Sequence, residues 1–254
     1  MRLLTRTAVN TACAFAVLGL AACGGTDTTS SKEAAPKNSP AREAEPFAKL
    51  SGPEVVNKAM AATKKAKSMK IGIDTTSDGE KVSAHLSSDT SGNCTGTMAI
   101  GPAGAMEIRK TGDTVYTKYD EALLREQSKG EPAEDIDAAV DMLAGKWLKS
   151  KASEPDNKDM LELCDLNSLL EDSASNDTEA RKDGSTTVDG HPALRLIEKD
   201  GAASYTLTVA TEGQPYILKI DAAGNEDPMT MTLSEFGKPV VVRKPAAKDM
   251  ADIG

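Results

Sequence analysis

The stretch Met69-Lys70-Ile71-Gly72-Ile73-Asp74 decides the fold class of this chain. Its apolar side chains occupy every second position, and polar residues or glycine stand between them. Asp78-Gly79 follows as a hairpin signal, and Val82, Ala84 and Leu86 then continue the same alternation. Half-buried antiparallel strands joined by a tight turn have this pattern.

Short strands of the same type are predicted on the C-terminal side of this hairpin. They are the segment from Cys94 to Ile100, a strand with Met106 and Ile108, and a strand with Val115 and Thr117. The alternation returns after Asp177 and continues through several hairpins. The turn signals there are Asp189-Gly190, Asp200-Gly201 and Gly213-Gln214-Pro215. This part of the chain is predicted to form an antiparallel meander.

A helix is predicted immediately before the first strand. Ser51-Gly52-Pro53-Glu54 forms a capping box, because Ser51 is a good N-cap and Glu54 stands three residues later. Lys64, Lys65 and Lys67 stand at the other end, where positive charge complements the helix dipole. A membrane-binding patch is the alternative interpretation of these lysines, and the dipole accounts for them more simply.

Two further helical stretches are predicted in the middle of the chain. Ile136, Val140 and Leu143 have helical spacing, and so do the apolar residues from Met160 to Leu170. Cys164 falls on the apolar face of the second stretch.

The N-terminus has the layout of a secretory signal peptide. Arg2 and Arg6 precede a short apolar run, and the run ends in Leu20-Ala21-Ala22-Cys23. Small residues directly before a cysteine resemble a bacterial lipobox, in which Cys23 would carry the lipid, including palmitate. The alternative is an ordinary signal peptide with Cys23 free or with cleavage elsewhere. The apolar run is too short for a stable spanning helix, so we expect an exported protein anchored to the outer face of the cytoplasmic membrane.

Composition then divides the chain into four parts. Residues 1–22 are the predicted signal peptide, and residues 23–45 are a predicted disordered tether. From Gly24 to Glu45 the chain has no Val, Ile, Leu, Met or aromatic residue, so this segment cannot bury a core. Residues 46–245 are predicted to form one domain, and residues 246–254 are a C-terminal tail without a strong pattern.

Two cysteines remain after the signal peptide and the anchor are assigned. Cys94 and Cys164 are most simply paired in one disulfide, because the protein is exported. Neither belongs to a Cys-x-x-Cys pair, which argues against a redox-catalytic or zinc site.

The net charge limits the partners of this protein. The formal charge is −9 for the whole chain and becomes −11 when residues 1–22 are removed, because Arg2 and Arg6 leave. An acidic protein repels phosphates, so no nucleic-acid partner is expected.

The sequence does not have the marks of an enzyme. Neither a Gly-x-Ser-x-Gly elbow nor a phosphate-binding glycine loop nor a His-Glu-x-x-His helix is present. His85 and His191, the two histidines, are expected at surface or turn positions. Asp135, Asp137 and Asp141 cluster on the polar face of a predicted helix, and a solvated face explains them better than a calcium site does. No catalytic residue, metal or cofactor is therefore predicted.

The order of these parts resembles the LppX/LprG-like lipoproteins, which have a LolA-like fold. The residues that carry the resemblance, besides the lipobox, are Gly92-Asn93-Cys94-Thr95-Gly96, Gly112-Asp113-Thr114-Val115-Tyr116, Gly145-Lys146-Trp147, Leu163-Cys164-Asp165-Leu166 and Ala210-Thr211-Glu212-Gly213-Gln214-Pro215-Tyr216. The resemblance implies an α+β fold, in which a strongly curved antiparallel β-sheet forms a half-barrel and helices cover its concave face. It also implies an apolar cavity for acyl chains and a role in lipid binding or lipid transport.

A ligand cavity between the sheet and the helices would be lined by aliphatic and methionine side chains. The candidates are Met69, Ile71, Ile73, Met98, Ile100, Met106, Ile108, Ile136, Val140, Leu143, Leu207 and Val209. Methionine adapts well to irregular apolar ligands, but the same residues would also pack a core that is poor in aromatic side chains.

Two functions follow from these alternatives. The first is a lipoprotein that binds a lipid or glycolipid. The second is a non-enzymatic envelope interaction or sensor domain with a filled core. The sequence identifies no protein partner.

Overall fold

The computed structural model describes residues 47–77, 79–171, 179–224 and 227–252. The predicted signal peptide, the Cys23 anchor and the tether lie outside these residues, and so does Asp78 of the first hairpin signal. These features remain predictions.

Eleven strands form one sheet in the described residues. They are β1 (Ser68–Ser77), β2 (Glu80–Asp89), β3 (Cys94–Ile100), β4 (Gly104–Thr111), β5 (Thr114–Tyr119), β6 (Trp147–Lys151), β7 (Arg181–Val188), β8 (His191–Asp200), β9 (Ala203–Ala210), β10 (Ile217–Ala223) and β11 (Met229–Ser234). Their order is β6-β5-β4-β3-β2-β1-β11-β10-β9-β8-β7, and every neighbouring pair is antiparallel. The sheet does not close, because β6 and β7 are its two edges. The predicted curved α+β fold is confirmed.

The sheet consists of two meanders that meet at one strand pair. Strands β1 to β6 follow one another in sequence, as do β7 to β11, and β1 pairs with β11. The turn between β7 and β8 has positive φ at both Asp189 (48°) and Gly190 (81°). This is the geometry that an Asp-Gly hairpin requires.

In the described residues, five α-helices accompany the sheet: α1 (Gly52–Lys65), α2 (Glu121–Gln127), α3 (Ala133–Leu143), α4 (Lys158–Glu162) and α5 (Leu166–Glu171). The capping box at α1 is confirmed. The Ser51 hydroxyl accepts a bond from the backbone N–H of Glu54, and the Glu54 carboxylate accepts one from the backbone N–H of Ser51 at 2.6 Å. Helix α1 packs against α5 and against β7, β9 and β10.

The predicted helical stretch from Met160 to Leu170 is two short helices. The break contains Cys164, so the cysteine lies between α4 and α5 and not on a continuous helix. The Asp165 side chain explains the break, because it accepts bonds from the backbone N–H groups of Asn167 (3.0 Å) and Ser168 (3.3 Å). Short polar side chains that bond nearby backbone in this way start a new helix and do not continue the old one.

The disulfide between Cys94 and Cys164 is present, as predicted. It joins the first residue of β3 to the turn between α4 and α5, across 70 residues of chain. It therefore holds these short helices against the sheet.

The segment after β11, which has no pattern in the sequence, is bound to the N-terminal half of the sheet. The Ser68 hydroxyl donates to the Lys238 carbonyl (2.7 Å), and Arg109 donates to the Arg243 carbonyl (3.0 Å). Met250 then forms a parallel bridge with Trp147, which is 4% exposed. The tail thus reaches the edge strand β6.

Candidate functional site

The strand register places apolar side chains in three rows across one face of the sheet, because directly opposed residues share a face. The closed row is Ile108, Gly96, Leu86, Ile71 and Leu233. The middle row is Met106, Met98, Ala84, Ile73, Met231, Ile220 and Leu207. The open row is Ile100, Val82, Thr75, Met229, Ala222 and Tyr205. These rows form the concave face of the curved sheet.

Helices cover the closed row. Ile71 belongs to a buried cluster that also contains Val55 and Val56 of α1 and Leu166 of α5. Leu86 and Ile108, each 1% exposed, belong to a second cluster with the disulfide cysteines. The cover of the closed row is thus α1, α5 and the disulfide-bonded turn.

The space beneath these helices is filled by side chains. A cavity of about 20 Å³ remains, which has room for about one water molecule. Its lining residues are Met60, Thr63, Met69, Ile71, Leu166, Leu169, Ile217, Ile220, Met231 and Leu233. Thr63 is the polar member, and its hydroxyl accepts a bond from the Ile217 backbone N–H at 3.0 Å.

Some side chains of the middle and open rows are more exposed than the large side chains of the closed row. Met98, Met106 and Met231 in the middle row are half-buried, and Ile100 in the open row is 40% exposed. A cleft of about 550 Å³ lies at the open-row ends of the central strands. Thr75, Val82, Ala222 and Met229 line it together with polar residues that include Asp74, Lys81 and Asp221. Apolar surface therefore continues from the filled interior to an open edge.

The structure brings together most of the predicted cavity residues, but not all of them. Met69, Ile71, Ile73, Met98, Ile108, Leu207 and Val209 lie in or against the two clusters beneath the helices. Ile100 and Met106 lie at the open end of the same face. Ile136, Val140 and Leu143 lie on α3, outside the buried clusters of the described residues. The enclosed cavity itself stays a prediction.

Sequence reasoning missed several residues that line the interior. Leu166, Leu169 and Ile217 contact the small cavity, and Ile220 and Met231 complete the middle row. Their alternation or helical spacing is visible in the sequence. The face that each one joins depends on the β1–β11 pairing, for which the sequence contains no local signal.

Few polar groups adjoin this face. Burial alone would raise the pKa of the Asp165 carboxyl, but hydrogen bonds from Ser168 and Asn167 outweigh it and lower that pKa. His85 and His191 are exposed. Within the described residues, no three His, Cys, Asp or Glu side chains come together as a metal site would require.

Comparison with known proteins yields similarity of structure only. No protein-family model and no curated protein matches the sequence. The crystal structure of LprF from Mycobacterium bovis matches 77% of this chain and 97% of its own chain, with 16% identity and a TM-score of 0.53. The lipoprotein LppX from Mycobacterium tuberculosis matches 75% of this chain and 97% of its own, with 16% identity and a TM-score of 0.49.

The likeness to LprF shows a shared fold. The predicted resemblance to the LppX/LprG-like proteins is confirmed at that level. Among the described residues, no helix has the length and the apolar character needed to cross a bilayer.

Proposed function

We propose that this protein is an exported, membrane-anchored lipoprotein that binds the acyl chains of a lipid on its concave face. One observation carries the proposal. Along the middle and open rows, Met98, Met106, Met229 and Met231 are half-buried and Ile100 is 40% exposed, and this methionine-rich surface leads to the filled interior.

The binding would be driven by burial. Each methylene group that leaves water contributes about 0.8 kcal/mol, so a single long chain can be held without covalent chemistry. Flexible methionines such as Met98, Met106 and Met231 can repack around chains of different shape. The lipid headgroup would stay at the open row, beside the polar residues of the 550 Å³ cleft.

The interior limits how deep a ligand can go. Beneath the helices the free volume is about 20 Å³, which is far below the several hundred Å³ of a typical ligand pocket. An acyl chain would therefore lie along the middle and open rows, or it would displace α5 and its Leu166 side chain from the closed row. No covalent step is assigned to the protein, so the proposed role is not enzymatic.

Uptake of a fluorescent fatty acid by the purified protein, together with native mass spectrometry after detergent-free purification, tests the proposal. We expect the wild-type protein to bind the fatty acid. The affinity of Ile100→Glu should be at least about tenfold lower, because a carboxylate is costly to bury in an apolar groove. Thr95→Glu is the matched control, since Thr95 lies on the opposite face of β3, across from Arg109. Ligand-free wild-type protein that takes up no fatty acid would refute the proposal.

The filled interior favours a second candidate, an envelope interaction or sensor domain on the same scaffold. In that case the exposed apolar row would contact a partner surface and not an acyl chain. The same pair of variants separates the two functions. Two results together support the second candidate. The purified wild-type protein binds no fatty acid, and cells that carry Ile100→Glu show a loss of the protein's function.

The anchor is proposed separately, on Cys23. Cys23→Ala should release a folded protein into the medium. Retention of this variant at the membrane would show that Cys23 is not the anchor.

A further inference from the structure

The outward face of helix α1 is strongly basic in an otherwise acidic protein. Val55, Val56, Ala59 and Thr63 point into the core, and Lys58, Lys64 and Lys65 are exposed on the opposite side. Lys67, just after the helix, is exposed as well. Among the described residues, none of these four lysines forms an ion pair.

Strand β7 extends this basic surface. A Cβ atom built on Gly52 would overlap the Ala180 carbonyl oxygen, so the chain before β7 lies directly against the first turn of α1. Arg181 and Lys182 follow, and both are exposed. Lys182 donates to the Phe47 carbonyl at 2.6 Å, at the point where the described chain enters the fold. We name Lys58, Lys64, Lys65, Lys67, Arg181 and Lys182 the lysine face.

The charge contrast with the rest of the protein is large. Residues 47–67 and 179–182 contain seven Lys or Arg and two Glu, whereas the other described residues contain eighteen Lys or Arg and twenty-nine Asp or Glu. Of the two acids, Glu54 is engaged by Ser51 in the capping box. The next acid along β7, Asp183, is paired with Arg195 at 2.8 Å.

The helix dipole does not explain this arrangement. It favours positive charge in the last turn of α1, where Lys64 and Lys65 lie. Lys58 lies in the middle of the helix, and Arg181 and Lys182 belong to another element. Lys182 is held beside the start of α1 by its bond to the Phe47 carbonyl, so basic side chains are distributed along a helix about 20 Å long.

We propose that the lysine face docks the domain on anionic lipid headgroups of the membrane that holds its anchor. The inference rests on the anchoring in the proposed function, because the predicted disordered tether would join a lipid on Cys23 to Phe47 through 24 residues, which corresponds to a reach of about 25 Å. The acidic remainder of the protein is repelled from the same headgroups, so one orientation is favoured. In this orientation α1, which covers the closed row, faces the lipid.

Vesicle co-sedimentation tests this with the chain from residue 24 onward, which needs no lipid anchor and keeps the compact unit intact. The probes are phosphatidylcholine vesicles and vesicles in which about a third of the lipid is phosphatidylglycerol. We expect binding to the anionic vesicles alone, and loss of binding when salt rises from about 0.05 to 0.5 M.

The variant Lys58→Gln/Lys64→Gln/Lys65→Gln should reduce this binding about a hundredfold, since each lysine near an anionic surface contributes about fivefold. The control Lys146→Gln/Lys149→Gln/Lys248→Gln removes three exposed lysines from elsewhere on the surface and should bind as the wild type does. Equal binding to both vesicle types, or equal loss in both variants, overturns the proposal. Capture of an acidic protein through these lysines, without vesicle binding, overturns it in favour of a protein partner.

Fatty-acid uptake in solution, measured on the same variants without vesicles, is expected to be unchanged. If the wild type took up fatty acid but did not bind anionic vesicles, the proposal of a docking surface would be refuted and the proposal of an acyl-binding site would stand. If the wild type took up no fatty acid but still bound anionic vesicles, the proposal of an acyl-binding site would be refuted and the proposal of a docking surface would stand.

Discussion

The closed and open rows of the concave face have similar side chains and very different surroundings. Ile71 and Leu86 of the closed row are 1% exposed, beneath α1, α5 and the disulfide-bonded turn. In the open row, Ile100 on β3 is 40% exposed and Met229 on β11 is half-buried at the margin of the first cluster. Apolar alternation therefore indicates which face is apolar, and the helices decide which part of that face becomes core.

The difference has a functional consequence. A row that is already packed contributes stability and leaves no space for a ligand. A row of similar composition that stays half-exposed has an unfavourable free energy of hydration. Binding an apolar partner removes this surface from water and recovers that free energy. The two rows can be separated by experiments on stability, and the expected effects are given below from the largest to the smallest.

Removal of the disulfide should have the largest effect, because it closes a loop of 70 residues beside the closed row. We expect Cys94→Ala/Cys164→Ala to lower the free energy of unfolding by about 4 kcal/mol in the chain-entropy model. Urea unfolding with and without reductant measures the change. Reductant should destabilise the wild type and leave the double variant unaffected, and an equal response of both would contradict this expectation.

The next largest difference is expected between side-chain truncations in the closed row and in the open row, measured as the loss in free energy of unfolding. Leu86→Ala should cost about 3 kcal/mol, since it leaves a cavity in a packed region. Ile100→Ala should cost less than about 1 kcal/mol, because that side chain is 40% exposed. Equal losses in urea unfolding would mean that the open row is part of the core.

The hydrogen bond between α1 and the sheet should contribute less to the free energy of unfolding. Thr63→Val removes the acceptor for the Ile217 N–H, which is buried at a β-bulge in the β9–β10 pair. We expect a loss of about 1–2 kcal/mol, the cost of a buried unsatisfied donor. The control is Thr97→Val on the exposed outward face of β3, which should change the unfolding free energy by less than about 0.5 kcal/mol.

The smallest effect concerns pH. The pKa of Asp165 is lowered in the folded state, because the hydrogen bonds from Ser168 and Asn167 outweigh the effect of burial. Its contribution to stability is complete above the pKa of the unfolded chain and is lost as pH falls through the lower folded pKa. Urea midpoints measured between about pH 2 and 6 should therefore fall less steeply for Asp165→Asn than for the wild type. An equal fall of the urea midpoint in Asp165→Asn and in the wild type would contradict this expectation.

Local signals predicted much of the fold. The Asp-Gly turns, the alternation on β1, β2 and β8 to β11, and the Ser51 capping box are each set by neighbouring residues. The Cys94–Cys164 bond was also predictable, because few cysteines remained to be paired. The break at Cys164 was less visible, since the apolar spacing from Met160 to Leu170 continues across it and Asp165 alone interrupts the helix.

The candidate site was less predictable than the fold. Ile71, Met98 and Leu207 were predicted to line a cavity, and the strand register places them on one face of the sheet, because their alternation is local. Val140 was grouped with them on the same grounds, yet it lies outside their cluster. Helical spacing shows that a residue faces something apolar and does not show which element supplies that surface.

The sequence by itself determined the strand and helix types, the turns and the apolar face of each strand, because these depend on contacts between residues close in the chain. Tertiary structure alone decided that β1 pairs with β11, that the tail reaches Trp147, and that α1, α5 and the disulfide-bonded turn cover the closed row while Ile100 stays 40% exposed. These features depend on contacts between residues far apart in the chain, from 70 positions for the disulfide to 164 for Lys70 and Ser234, where no periodicity connects the partners. The lysine face has the same origin, since Arg181 and Lys182 join α1 only in the folded chain.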